Sequence, residues 1–225
     1  LMVSNIDNLG AVPDPRILSA LDGKEFALEV TNKTANDWKG GLPIRLNDSL
    51  KLLEIAQVPK EHLNEFYKFP YINTNNIWIS LNALINSTIK LDVVINNKKV
   101  GDVPVIQLEE AAGSAIQSFA KTAAIYVPRD RFLPVKTTTE LLLLRSDVFE
   151  LDGSFFRATA PIPEIKLDSH YTTVANFEKR VPYPLNIQKA VSLTVNGNVT
   201  FGKNVTIIGK VEFHCPEGEA WEIPD

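Results

Sequence analysis

Apolar positions along the chain follow two spacings, one typical of β-strands and one typical of helices. Alternating or continuous apolar runs predict strands in FALEVTN (26–32), SLKLLEIAQVP (49–59), KLDVVIN (90–96), VPVIQLE (103–109) and AAIYVP (123–128). Helical spacing predicts helices after Asp14-Pro15 and in KEHLNEFYKF (60–69), EEAAGSAIQSFAK (109–121) and KTTTELLLL (136–144). In the last of these, Thr137 and Glu140 form the pattern of a capping box. Strands that alternate with helices predict an α/β fold with a mainly parallel sheet and helices on its faces.

Two further segments complete the first part of the chain. KGGLPIRLND (39–48) predicts a hairpin arm that returns through 49–59, with Glu54 inside an otherwise apolar strand. INTNNIWISLNALINS (72–87) is interpreted as a polar loop that runs into an apolar segment.

The final stretch repeats with a period of six residues. The apolar residues that recur at this period form two series: Leu193, Val199, Val205 and Val211, and Val195, Phe201, Ile207 and Phe213. Such a period is typical of a parallel β-helix, with an ordinary β-meander as the alternative. The Pro-containing segment VPYPLNI (181–187) precedes it. We therefore predict two domains, 1–187 and 188–225.

Composition narrows the class of protein. The 225 residues are 44% hydrophobic with a net charge of −4, so a sizeable core is expected and a nucleic-acid partner is not. Cys215 is the one cysteine, which favours a reducing compartment, and we expect a cytoplasmic location. No apolar run approaches the roughly 18 residues of a membrane helix, so no membrane partner is expected. Because the chain starts as LMVSNID and stops at WEIPD, we expect a fragment of a longer protein.

Polar residues gather at the ends of predicted strands, where open α/β sheets bind ligands. They are Asn5 and Asp7, the segment Lys39–Gly40–Gly41, Asn73, Asn75 and Asn76, and Lys136, with the strand acid Glu54 as a fifth candidate. Each has a structural alternative: a turn, a hairpin bend, a loop, or a charge beside a helix start. Together they fit a sugar phosphate or nucleotide sugar, because amides and carboxylates bind hydroxyls and lysine neutralises phosphate. Asp7 could then hold Mg²⁺ beside the substrate phosphates.

Seven stretches resemble the eukaryotic-type UDP-glucose pyrophosphorylases, in family order over essentially the whole chain. They are VSNIDNLGA, EVTNKT with KGG, LLEIAQVPKEH, INTNNIWISL, VIQLEEAAGSAI, VPRDRFLPVKTTTELLL and NVTFGKNVTIIGKV. The resemblance implies the C-terminal portion of a Rossmann-like nucleotidyltransferase domain followed by a left-handed parallel β-helix. It also implies reversible formation of UDP-glucose and pyrophosphate from UTP and glucose 1-phosphate, with Mg²⁺ as cofactor.

The resemblance assigns roles residue by residue. Lys136 is implied to contact the reacting phosphates, with Lys39 as a second phosphate contact. Asp7 is implied to lie near the metal and nucleotide, with Asn5 beside the ligand. The implied glucose pocket consists of Gly40, Glu54, Asn73 and Asn75.

Departures from the family pattern limit what this chain is expected to do alone. The Gly-rich nucleotide loop and the uracil-reading segment of the family lie upstream of SNIDN. The chain is therefore expected to be inactive without the upstream half of the same protein. Leu42 stands where Thr is usual, and Asp168-Ser169-His170-Tyr171 replaces the family's GSHF. The alternatives are a pyrophosphorylase for another sugar 1-phosphate, galactose or N-acetylhexosamine, and a non-catalytic binding or assembly module. An oligomer formed through the β-helix is a further expectation.

Overall fold

The structure, a computed structural model, describes residues 1–34, 37, 40–153 and 155–225. The chain forms two compact units. The first consists of Leu1–Ile6 and Ala11–Phe132, and the second of Asp7–Gly10 and Leu133–Asp225. The predicted domain boundary at 187/188 stays a prediction.

The first unit contains eight strands and three short α-helices among its described residues. In chain order they are β1 (Met2–Val3), α1 (Pro15–Ala20), β2 (Phe26–Asn32), β3 (Leu42–Leu46), β4 (Ser49–Leu53), α2 (Leu63–Tyr67), β5 (Tyr71–Ile79), α3 (Leu81–Asn86), β6 (Val93–Val100), β7 (Val103–Glu110) and β8 (Thr122–Tyr126). Turns of 3₁₀-helix occupy Ile55–Gln57, Lys60–His62, Ala112–Ser118 and Arg129–Arg131. The segment 109–121, predicted as a helix, is therefore mostly a 3₁₀-helix.

The central sheet of this unit has the order β1-β5-β2-β8. Only β2 and β8 pair in parallel, whereas β5 runs antiparallel to both of its neighbours. The expectation of a mainly parallel sheet is therefore wrong for this sheet. The cause is the segment interpreted as a polar loop, since Asn73, Thr74, Asn75 and Asn76 lie inside the nine-residue strand β5.

A local irregularity marks that strand. Asn75 has φ 60°, and the pairing of β5 with β2 shifts register between Leu28 and Val30. Asn is among the few residues other than glycine that adopt this left-handed conformation readily. The shift places Glu29 at the irregular position of β2.

One predicted hairpin and one predicted helix start are present, and a second hairpin joins two segments that were predicted only as strands. β3 pairs antiparallel with β4, but β4 ends at Leu53, so Glu54 follows the strand instead of lying within it. β6 and β7 also form an antiparallel hairpin. α1 begins as predicted: the Asp14 carboxylate accepts the Arg16 N–H at 2.8 Å, and the Arg16 guanidinium lowers the pKa of Asp14 to about 2.

Apolar side chains cover both faces of the central sheet. Phe26, Leu28 and Ile77 pack with the 3₁₀-helix residue Ile116 on one face. Ala27 and Trp78 pack with α1 on the other. Alternate residues of β2 thus serve two cores, as the period of a strand requires.

The second unit continues with α4 (Thr138–Arg145), β9 (Phe149–Asp152), β10 (Phe155–Ala158), β11 (Glu164–Leu167), α5 (Val174–Arg180), β12 (Ala190–Asn196), β13 (Val199–Phe201), β14 (Gly209–His214) and β15 (Trp221–Ile223). The predicted capping box of α4 is present, because Thr137 Oγ1 accepts the Thr139 N–H at 3.2 Å and Glu140 accepts the Thr137 N–H at 2.6 Å. No helix among the described residues combines the length and the apolar character needed to cross a membrane.

The six-residue period corresponds to parallel pairing. Leu193 pairs with Val211 and Val195 with Phe213, each eighteen residues apart, which equals three six-residue repeats. Six of the eight apolar residues of the repeat are buried, with Leu193, Val195 and Val199 fully inaccessible, whereas Val211 and Phe213 are half-buried. The pair of β13 and β15 is offset by more than eighteen residues because the turn at 216–219 lengthens the connection. This regular parallel stacking excludes the β-meander alternative, in which neighbouring strands run antiparallel.

Candidate active site

Two asparagines of β5 form a rigid pair of amides. The Asn73 Nδ2 group donates to Asn75 Oδ1 at 2.6 Å, and the Asn75 N–H donates to Asn73 Oδ1 at 3.2 Å. Asn73 is buried, whereas Asn75 is half-buried. Left-handed backbone at Asn75 turns its amide back towards Asn73, so the two side chains are held before any ligand binds.

Glu54 and Asn73 lie on either side of Gly41. The Gly41 carbonyl accepts the Asn73 N–H at 2.9 Å. A Cβ atom at Gly41 would lie 2.5 Å from Glu54 Oε1. The structure therefore brings Glu54 and Asn73 of the predicted glucose pocket next to the same glycine, with Asn75 hydrogen-bonded to Asn73.

Gly40 has a different surrounding. A Cβ atom there would overlap Ile72 Cδ1 and Cγ1. Ile72 is a buried residue of β5, so the absence of a side chain at Gly40 lets this loop lie directly on the sheet. Gly40 thus sits beside the pocket, while Lys39, predicted as a phosphate contact, lies outside the described residues.

The Glu54 carboxyl is held in a low-polarity position. Burial raises its pKa, and the negative charge of Glu109 raises it further. Its backbone N–H donates to Gln57 Oε1 at 2.8 Å, as part of a capping box at the start of a 3₁₀-helix. A half-buried, poorly solvated carboxyl of this kind is suited to binding sugar hydroxyls, because few waters must be displaced.

Asn5 lies just beyond the end of β1. Its side chain is exposed, and the preceding Ser4 Oγ donates to Asn76 Oδ1 at 2.8 Å. Because Asn76 follows Asn75 directly, this hydrogen bond ties the Asn5 segment to the polar part of β5.

Asp7 and Lys136 belong to the second unit and are brought onto adjacent segments. The Val135 N–H donates to the Asp7 carbonyl at 2.9 Å, and Asn8 forms a bridge with Pro134. The Asn8 Oδ1 atom also accepts the Leu133 N–H at 2.8 Å. Lys136 is exposed and stands immediately before the N-cap of α4, while Asp7 is half-buried. Two segments that are distant in sequence, one carrying Asp7 and the other ending next to Lys136, are therefore joined through their backbones.

A buried cluster around Glu29 supports the first unit's site and was missed by sequence reasoning. Arg131 donates to both carboxylate oxygens of Glu29, at 2.8 and 2.7 Å. Trp78 Nε1 donates to Oε1 at 2.8 Å, and Asn76 Nδ2 donates to Oε2 at 2.9 Å. A signal was available, because Glu29 is a lone acid in the apolar strand FALEVTN, the same argument that singled out Glu54.

Metal-binding capacity rests on single carboxylates. Within residues 1–34, 37, 40–153 and 155–225, no group of three or more His, Cys, Asp or Glu side chains could hold a metal ion. Mg²⁺ takes only one or two protein carboxylates when substrate phosphates and water complete its shell. Asp7 fits that smaller requirement.

Comparison with known proteins gives consistent results. The family model described as UTP–glucose-1-phosphate uridylyltransferase matches residues 1–208. The enzyme of that name from Saccharomyces cerevisiae is 42% identical, over all of this chain and 48% of the yeast protein. The one from Hordeum vulgare is 44% identical, over all of this chain and 50% of the barley protein. This chain thus spans about half the length of the relatives it matches.

Solved structures agree with the sequence relatives. A mutant UDP-glucose pyrophosphorylase from Leishmania major, crystallised in complex with UDP-glucose, is similar with a TM-score of 0.83 and 35% identity. The similarity covers all of this chain and 54% of that one. A Trypanosoma brucei structure titled UDP-glucose phosphorylase has a TM-score of 0.80 at 35% identity, over 99% of this chain and 53% of that one. The α/β class predicted from the sequence is confirmed by these similarities and by the mixed sheets.

Proposed function

Because this chain belongs to the UTP–glucose-1-phosphate uridylyltransferase family, we propose that it supplies the sugar-binding part of an enzyme that makes UDP-glucose. In the proposed reaction a phosphate oxygen of glucose 1-phosphate attacks the α-phosphorus of UTP. The bond from that phosphorus to the β-phosphate oxygen breaks, and pyrophosphate leaves. Such an in-line transfer depends on positioning and on neutralising charge.

The proposed roles follow the local geometry. Glu54 accepts hydrogen bonds from glucose hydroxyls, and the paired amides of Asn73 and Asn75 supply further donors and acceptors. Gly40 lines the same pocket through its backbone. The rigid Asn73–Asn75 pair and the half-buried Glu54 carboxyl support this assignment, because their geometry is set without a ligand.

Lys136 and Asp7 are proposed to act on the phosphates. The ammonium of Lys136 neutralises charge on the reacting phosphates, with Lys39 as a second cation and Asn5 beside the nucleotide. Asp7 would hold Mg²⁺, which supplies further charge neutralisation when bound. The observation that supports the proposal is the backbone hydrogen bond from the Val135 N–H to the Asp7 carbonyl, since it brings the Asp7 segment against the residue that precedes Lys136.

We extend the proposal to the fold and the partners. A left-handed parallel β-helix following a Rossmann-like domain accounts for the eighteen-residue parallel pairing. β14 is an edge strand of its sheet, so a second copy of the protein could pair there. Activity would require the upstream half of the polypeptide, and the single buried thiol of Cys215 favours the cytoplasm.

The experiment compares UDP-glucose synthesis from UTP and glucose 1-phosphate in two samples: the 225-residue chain alone, and a polypeptide that also carries the upstream half. We expect turnover only in the second, and Lys136→Ala should reduce its kcat by about 100-fold or more. Lys179→Ala, which removes an exposed lysine from α5, is the matched control and should be near normal. Near-normal turnover in Lys136→Ala would exclude the assigned role. Galactose 1-phosphate and N-acetylhexosamine 1-phosphates, tested in parallel, address the alternative substrates.

A further inference from the structure

We infer that Gly41 is a positioning residue for Glu54: its missing side chain determines where the Glu54 carboxyl lies and thereby sets the affinity for the sugar. The inference rests on the proposed role of Glu54 in binding glucose 1-phosphate. It concerns a residue that touches the sugar-binding group rather than the reacting atoms.

A side chain at Gly41 would clash with one group, the carboxyl of Glu54. A Cβ atom on Gly41 would lie 2.5 Å from Glu54 Oε1, 2.9 Å from Cδ and 3.0 Å from Oε2. All three distances are at or below about 3.0 Å, where non-bonded carbon and oxygen atoms repel strongly. The three nearest atoms all belong to the carboxyl group. A methyl group at Gly41 and the present carboxyl position therefore exclude each other.

Backbone conformation does not explain this glycine. Glycines with positive φ in the described chain include Gly23, Gly101 and Gly153, but Gly41 is not one of them. An alanine can adopt its backbone without strain. The requirement for glycine at this position comes from the neighbouring carboxyl.

The adjacent Gly40 provides an internal contrast. There an added Cβ would meet Ile72 of the buried strand β5, so substitution would act on core packing. At Gly41 the added atom would meet the mobile end of a side chain, which can rotate away while the fold is kept. Gly41→Ala is therefore expected to fold and to displace Glu54.

A displaced Glu54 carboxyl has few other positions that it can occupy. The capping box with Gln57 holds Glu54 from its own 3₁₀-helix, and the charge of Glu109 repels the carboxylate. A displaced carboxyl would no longer meet the same sugar hydroxyls. The Gly41 carbonyl can keep its hydrogen bond to the Asn73 N–H, so the damage should be confined to the contacts of Glu54.

The test is a set of variants in the polypeptide that carries both halves, assayed for KM of each substrate. Gly41→Ala should raise the KM for glucose 1-phosphate by about 10- to 100-fold, the range for losing hydrogen bonds to a charged group. The KM for UTP should not change. In a Glu54→Ala background, Gly41→Ala should have no further effect, because the clashing group is gone. Gly41→Ala/Glu54→Asp should bind the sugar phosphate better than Gly41→Ala, since the shorter carboxyl clears the methyl group.

The outcomes separate this inference from the proposed function. If Glu54→Ala raises the KM for glucose 1-phosphate and Gly41→Ala does not, the inference is wrong and the proposed role of Glu54 stands. If Glu54→Ala has no effect, that role is wrong and the inference with it. An effect of Gly41→Ala that persists in the Glu54→Ala background would also overturn the inference. If Gly41→Ala fails to fold, Gly41→Ala/Glu54→Ala must fold, and a second failure would overturn it. A crystal structure of Gly41→Ala should show Glu54 displaced.

Discussion

The buried ion pair of Glu29 and Arg131 gives the sharpest prediction about stability. The Glu29 side chain is 0% exposed and that of Arg131 7% exposed. Glu29→Gln keeps the size of the side chain but removes its charge and replaces one acceptor oxygen with a donor. The buried guanidinium of Arg131 then loses the negative charge of Glu29.

The expected cost follows from that environment. Removing one partner of a buried ion pair typically lowers the free energy of unfolding by about 3–5 kcal/mol. At about 2–4 °C per kcal/mol for a chain of this size, the melting temperature should fall by about 6–20 °C. Asp152→Asn is the matched control, because it makes the same chemical change in the exposed pair with Arg157, where the two atoms are 3.0 Å apart. That variant should lose no more than about 1 kcal/mol.

Urea unfolding followed by circular dichroism and by tryptophan fluorescence measures both effects. Trp78, one of three tryptophans in the chain, donates to Glu29, so part of the emission reports on the cluster. In Glu29→Gln/Arg131→Met both charges are removed, and part of the lost stability should return. The reasoning is refuted if Glu29→Gln is no more destabilising than Asp152→Asn, or if the double variant costs the sum of the two single ones.

Three further predictions concern pH and hydrogen bonding. Glu54 accepts hydrogen bonds when it is ionised, so sugar binding should be lost as the pH falls through its raised pKa. Glu109→Gln should therefore move the acidic limb of the pH profile of kcat/KM to lower pH, whereas the control Glu110→Gln should leave that limb in place. An unmoved limb in Glu109→Gln would contradict the assignment. The pKa of Asp168 is lowered: burial raises it, but hydrogen bonds from the backbone N–H groups of Gly197 and His170 outweigh burial. The ionised Asp168 side chain therefore contributes to the free energy of unfolding at pH values above 3.8, the ordinary pKa of the group, and this contribution is lost as the pH falls through the lowered pKa. Asp168→Asn should cost about 1–3 kcal/mol near neutral pH in urea unfolding and clearly less in acid, and an equal cost at both pH values would contradict this. Tyr171→Phe removes the buried hydrogen bond from the Tyr171 hydroxyl to the Val199 carbonyl, 2.7 Å long, and should cost about 1–2 kcal/mol in the same measurement. Tyr183→Phe, at a hydroxyl-bearing residue that is 40% exposed, should change stability little.

Local signals in the sequence predicted local structure well. The capping residues Asp14 and Thr137 define helix starts within a few positions, so neighbouring residues carry all the information needed. The six-residue period of the second unit is likewise a repeated local pattern. It predicted strand pairing at a distance because each repeat stacks on the same kind of residue.

Long-range features could not be read in the same way. Asn73 and Asn75 have side chains that favour turns, yet they lie in a central strand because their amides bond to each other and the neighbouring Thr74 bonds to the Glu29 carbonyl. Glu29 was not recognised from the sequence, because its partner Arg131 comes about a hundred residues after the apolar strand that contains it. The candidate site residues came from polar positions at strand ends and their roles from a resemblance, whereas the contacts of Gly41 with Glu54 and Asn73 depend on segments that only the folded chain brings together.

The pairing of residues 7–10 with residues 133–135 has a consequence for the order of folding. The whole of Ala11–Phe132 is inserted between the two partners of that pairing, so the second unit cannot complete this edge until the inserted segment has formed. Closing so long a loop costs conformational entropy and slows the step, unless the inserted segment has already become compact. During synthesis, Pro134, which forms the bridge with Asn8, is made more than a hundred residues after it. Pairing of the segment that carries Asp7 is thus predicted to follow the compaction of residues 11–132.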